Sequence, residues 1–113
     1  MMAKEVFARI IKLKPDSASH VRAWAETMNA RKDEAVASLR DEGVEIESWF
    51  SLTLDGDDYL ICYMRAGSMK QAQEAAAKSA HAIDAVHQQF KVDTWLRGAG
   101  AVGRLLLDLS ARE

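Results

Sequence analysis

The sequence predicts an α+β fold in the order β-α-β-β-α-β, with an antiparallel sheet and both helices on one of its faces. Three observations carry that expectation. Short runs of β-branched and apolar residues alternate with stretches whose apolar residues recur at helical spacing. An Asp-Gly dipeptide separates the second and third strand-like runs, a strong hairpin signal. The 113 residues are 49% hydrophobic and 28% charged, the balance of a globular chain, so the expected organisation is one domain over residues 1–113.

Taken in order, VFARIIKL (6–13) reads as the first strand and stops at Lys14-Pro15, because proline cannot continue a ladder. Asp16 or Ser17 can cap the next element, where Val21, Trp24, Met28, Ala35 and Leu39 keep one helical face until Gly43. This predicts one long first helix. VEIESWFSLTL (44–54) and YLICYMRA (59–66) read as strands two and three around Asp55-Gly56-Asp57-Asp58. Ser68 with Gln71 forms a capping box, and Met69, Ala72, Ala76, Ala80, Ile83, His87 and Phe90 then share a helical stripe to about Thr94, with an interruption near Ser79. RLLLDL (104–109) is the expected terminal strand.

This order is the ferredoxin-like plan. In strands one and three both alternating faces are largely apolar, yet two helices cover only one face of a sheet. A homodimer with the two sheets packed as an α+β barrel would cover the other. With that order in place, the chain resembles the dimeric α+β-barrel superfamily, which includes cofactorless monooxygenases and sugar mutarotases. RIIKLKP, ARKDEAVASLRDEGVEIES, DYLICYM and HAIDAVHQQF look like an uncharacterised bacterial family of unknown function within it. The resemblance implies a fold and a dimer and no activity. HVRAWAE, with His20, Trp24 and Glu26, is similar over a short stretch to the rhamnose mutarotases, but only Trp95 stands where their late aromatic pair falls.

Composition excludes several classes of function. Fifteen basic against seventeen acidic residues give a net charge of −2 with no basic stripe, which argues against nucleic acid. A single cysteine, Cys62, rules out a disulfide framework and a cysteine metal site. The amino-terminal stretch lacks a signal peptide's apolar core and no run is long enough for a membrane span, so the expected location is cytoplasmic. GAGAVG (98–103) spells the dinucleotide fingerprint G-x-G-x-x-G. That motif needs a strand before it, a helix after it and an acidic residue about 20 positions on. Here a helix precedes it and a strand-like run follows, so the glycines are expected to be a flexible connection.

The candidate site residues follow from charges placed on apolar faces. On a continuous helix Arg31 lies about 20° from Trp24 and about 40° from Ala35, so it must find a carboxylate such as Glu34, Glu45 or Glu47, or face a cavity. Asp84 and His87 are helical neighbours, an arrangement that orients a general base and equally satisfies a core histidine. His81 and His87 would point about 120° apart and sit roughly 9 Å apart along the axis, which a shared metal does not tolerate. Arg9 beside Phe7 and Ile11, Glu47 beside Trp49, and Tyr63 beside Ile61 would line a polar cavity with aromatic walls.

The expected catalytic candidates are therefore His87, Asp84 and His20. Arg31, Glu47, Tyr63, Arg9 and Trp24 are the ligand-binding ones, with no cofactor and no metal. The functional expectation is a small dimeric protein that binds a small polar or anionic molecule, as a cofactorless isomerase or monooxygenase. The alternative is a non-catalytic ligand-binding or assembly module.

Overall fold

The computed structural model describes residues 4–111. Strands β1 (Glu5–Leu13), β2 (Val44–Leu54), β3 (Asp57–Ala66) and β4 (Trp95–Val102) form one antiparallel sheet in the order β2-β3-β1-β4. The β2–β3 hairpin turns at Asp55 and Gly56, both with positive φ, as a two-residue hairpin turn requires. Helices α1 (Ala18–Ala30), α2 (Lys32–Glu42), α3 (Met69–Ala77) and α4 (Ala82–Thr94) complete the α+β fold.

The single first helix expected from the periodicity is two helices, broken at Arg31 (φ −112°, ψ 35°). Asp33 and Glu34 then occupy the first turn of α2, where the helix dipole favours acidic side chains. The second helix is interrupted where Ser79 suggested. Its first piece, α3, carries the expected cap, Ser68 accepting from the Gln71 amide.

The last strand is displaced from its expected position. Residues 95–102 pair with β1, so Gly98 and Gly100 lie within the sheet and are no loose connection, while Arg104–Leu109 extends beyond it without strand pairing, held at Asp108 by Arg65. Gly100 explains the choice of residue: a Cβ there would stand 2.5 Å from the Ile10 carbonyl oxygen, so β4 can lie against β1 only without one.

A bulge in β2 places the site. The pairing slips between Val44 and Ile46, so that Val44 lies opposite Ala66, Glu47 opposite Met64 and Trp49 opposite Cys62. Side chains alternate along a strand, so without the extra residue Val44 and Glu47 would take opposite faces. With it, both share the helix-covered face. The main core there joins Ile11, Leu13, Trp24, Leu60, Cys62 and Phe90. A smaller cluster joins Val44, Ala66 and Ala72. On the sheet's other face Phe50 is 57% exposed, and Leu52 and Leu54 are exposed too.

Candidate functional site

Between the helices and the sheet lies a cavity of about 510 Å³. Trp24, Trp49 and Trp95 stand in its wall with Ile11, Met28 and Met64, and Arg9, Ser38, Glu42, Glu47, Asp84, His87 and Lys91 supply polar groups. Along α4, Asp84, His87 and Lys91 follow at spacings of three and four. One helix face therefore presents a carboxylate, an imidazole and an ammonium over about 10 Å.

The imidazole sits at the centre. His87 packs against Trp24, Trp49 and Phe90, with ring centroids 5.7, 5.4 and 6.5 Å away. Trp24 Nε1 donates to His87 Nδ1 at 3.1 Å. An indole only donates, so this bond requires Nδ1 to carry a lone pair and places the imidazole proton on Nε2. Burial pushes the His87 pKa down to about 4; Lys91 pushes the same way and Asp84 opposes. The ring is therefore neutral near pH 7, and the hydrogen bond it makes is the one at Nδ1, with Nε2–H turned to the cavity it lines.

The expected pairing of Asp84 with His87 does not form. Asp84 Oδ2 instead accepts from the Ser38 and Ser79 hydroxyls, which tie α4 to α2 and to the α3–α4 connection. Ser38 also lies 3.2 Å from Glu42, whose carboxyl is pushed above the usual carboxylate range, first by burial and then by the Asp84 charge. Trp24, from the other end of the chain, does the orienting assigned to Asp84.

Around His87, Trp49 Nε1 donates to Glu47 Oε2 at 2.8 Å, which fixes that carboxylate inside the cavity. Lys91 has its pKa lowered by burial. Cys62, in the core beneath, is pushed up to about 12 by burial and so stays a thiol. Trp95 Nε1 is buried and has no hydrogen-bond partner. Among the described residues no group of three histidines, cysteines or carboxylates is placed to hold a metal ion.

Of the eight residues singled out in the sequence, Arg9, Trp24, Glu47, Asp84 and His87 line this cavity. Three do not. Arg31 occupies the α1–α2 break and makes a two-point ion pair with Glu34, 2.6 and 2.8 Å, because the break turns it out of the stripe a continuous helix would have formed. Tyr63 alternates with Cys62 and Met64, so it is on the opposite face of β3, its hydroxyl accepting from Arg65. His20 is exposed on the first turn of α1. His81 ends the α3–α4 connection and pairs with Asp41 at 2.7 Å, which raises its pKa.

Sequence reasoning missed Lys91, Glu42 and Ser38, and gave Trp95 no site role. Lys91 was legible, one helical turn beyond His87 on the same face. Glu42, Ser38 and Trp95 carried no local signal.

The sequence profile of a family described as "Family of unknown function (DUF6176)" matches residues 4–110. No curated protein sequence matches the chain. Three solved structures resemble it in fold. Rv0793 from Mycobacterium tuberculosis is 18% identical and superposes with a TM-score of 0.57 over 97% of this chain and 100% of its own. An uncharacterised NIPSNAP-like domain protein from Burkholderia xenovorans is 14% identical, with a TM-score of 0.59 over 100% and 91%. A protein of Nitrosomonas europaea described as a candidate antibiotic biosynthesis monooxygenase is 17% identical, with a TM-score of 0.57 over 94% and 93%.

Proposed function

Because the chain belongs to DUF6176, a family of unknown function, we propose a function from its cavity: the protein binds a small planar molecule and stabilises an oxyanion on it. The observation that carries this reading is His87, held neutral with Nε2–H turned to an aromatic-walled cavity. A neutral imidazole with its proton on that nitrogen is a hydrogen-bond donor, and such a donor is strong where water is excluded.

Nδ1 is committed to Trp24 and the ring resists protonation, so His87 serves here as donor and not as general base. Glu47, held by Trp49, is the carboxylate placed to take a proton from an enolisable carbon or a phenol. The aromatic walls hold the delocalised anion that results. Isomerisation and cofactorless oxygenation both pass through such an anion, and the fold shared with the Nitrosomonas europaea protein accords with the second. A purely structural role for the same residues is not favoured, since it would pair His87 with a carboxylate and leave no cavity.

The test is deuterium exchange and oxygen uptake across a panel of enolisable ketones and electron-rich phenols, without added metal or flavin. Turnover of at least one class is expected, reduced about 10²- to 10⁴-fold in Glu47→Gln and about 10²- to 10³-fold in His87→Ala. Absence of both reactions across the panel would sink the enzyme reading.

The outer face of the sheet supports a homodimer. Phe50, Leu52 and Leu54 are exposed there, and Leu105, Leu106, Leu107 and Leu109 are exposed along the segment after β4. A dimer is the species expected in light scattering at micromolar concentration, and a stable monomer would refute it. Among the described residues no helix is long and apolar enough to cross a membrane. One free, buried thiol suits a cytoplasmic protein.

A further inference from the structure

At the polar end of the cavity, where β1, α4 and β4 meet, two cations stand against one tryptophan, Lys91 partly buried and Arg9 exposed. Arg9 and Lys91 each stand 5.0 Å from the centroid of the Trp95 ring. Neither has a carboxylate within ion-pairing distance among the described residues. Beside them the Trp95 indole N–H is buried without an acceptor. A buried donor left unmet is rare, because its desolvation goes uncompensated. The Trp95 ring thus gathers two cations about it and carries an unmet donor of its own.

Building on the reading of the cavity as a small-molecule site, we propose that Arg9, Lys91 and Trp95 form a carboxylate subsite, so that the molecule bound is a planar aromatic or unsaturated acid. A guanidinium presents a fork that matches two carboxylate oxygens, and an ammonium and an indole N–H can each serve one more lone pair. Glu47 and Glu42 also act on Lys91, so a ligand bearing one negative charge meets less repulsion there than a phosphate dianion.

The position of the subsite relative to His87 gives the molecule a length. Trp49 lies between the two, its ring centroid 5.4 Å from that of His87 and 6.2 Å from that of Trp95. The acid is thus anchored on the far side of the Trp49 contact from the donor that meets the reacting oxygen. Its carboxylate positions and its oxyanion reacts.

The test compares three probes of one shape on the unmodified protein: 2-naphthoate, 2-naphthamide and 2-naphthyl phosphate, titrated by calorimetry and by the indole N–H signals in nitrogen-15 spectra. Three tryptophans give three such signals. Naphthoate is expected to bind about tenfold or more tightly than the amide, as a charge-assisted contact provides. The signal that moves furthest should be the one missing from Trp95→Phe, since the other two indoles already hold acceptors. Arg9→Gln and Lys91→Met should each narrow the preference for the acid. Equal binding of naphthoate and naphthamide would overturn the subsite and leave the aromatic cavity standing. Tighter binding of the phosphate would overturn the monoanion. Failure of all three to bind would overturn the subsite and the small-molecule reading together.

Discussion

Trp24→Ala is expected to lower the stability of the fold by about 3–5 kcal/mol, the range for deleting a large aromatic from a core. Trp24 is 8% exposed, stacks on Phe90 at 4.4 Å with the rings 6° from parallel, and meets the edge of Trp49 at 5.5 Å. It joins α1 to α4 through Phe90 and His87 and lies over the sheet at Ile11 and Cys62, so the loss reaches three elements at once. Urea denaturation followed by circular dichroism measures it. A loss below about 1 kcal/mol, the size of a minor core truncation, would show that Trp24 is not the keystone of this cluster. Trp24→Phe keeps one ring in place but removes the N–H and part of the indole, so it should cost less than the alanine, about 1–3 kcal/mol.

The second large effect is a loss of stability in mild acid that originates at His87. In the unfolded chain its imidazole takes up a proton near the ordinary value of 6.5, whereas in the folded protein burial delays protonation to about 4. Between those two values the unfolded state binds more protons. Stability therefore falls as the pH drops from about 6.5 to about 4, by about 3 kcal/mol in all, and above about 6.5 the loss disappears. Glu42 works in the opposite sense. Its raised carboxyl pKa adds stability at low pH that is lost as the pH rises through its folded value, so it opposes the acid limb set by His87. Denaturation midpoints measured across this window in the natural protein and in His87→Gln, whose amide oxygen can still accept from Trp24, make the comparison. The glutamine variant should lose most of the slope. An unchanged slope would assign the acid sensitivity to other groups.

Much of the architecture was legible because its signals are local. A proline after VFARIIKL, a glycine after the first helical stretch, Asp55-Gly56 and the Ser68 cap each act within a few residues. They mark three strands, the hairpin and the start of α3. The break at Arg31 was only half legible. Asp33 and Glu34 announce a new helix start, but the apolar stripe runs across it without a fault. The last strand was misplaced for a physical reason. Glycine is a poor strand former in isolation, yet at position 100 it is the residue that allows the close approach of β4 to Ile10. A propensity argument therefore favoured the leucines that follow.

The cavity divides along the same line. His87 on a helical stripe, Trp24 on another and Glu47 beside Trp49 could be singled out from spacing alone. Their partners could not. Trp24 and His87 are 63 residues apart in the chain, and Ser38 and Asp84 are 46 apart. The sequence by itself determined which faces are apolar and where the chain turns, since periodicity and turn chemistry are properties of neighbouring residues. Only the tertiary structure decided that an indole and not a carboxylate would hold the imidazole, that a one-residue bulge would bring Glu47 inward, and that Trp95 would be left with an unanswered donor. Those outcomes depend on distant segments competing for the same few hydrogen bonds, and that competition is settled when the helices pack on the sheet.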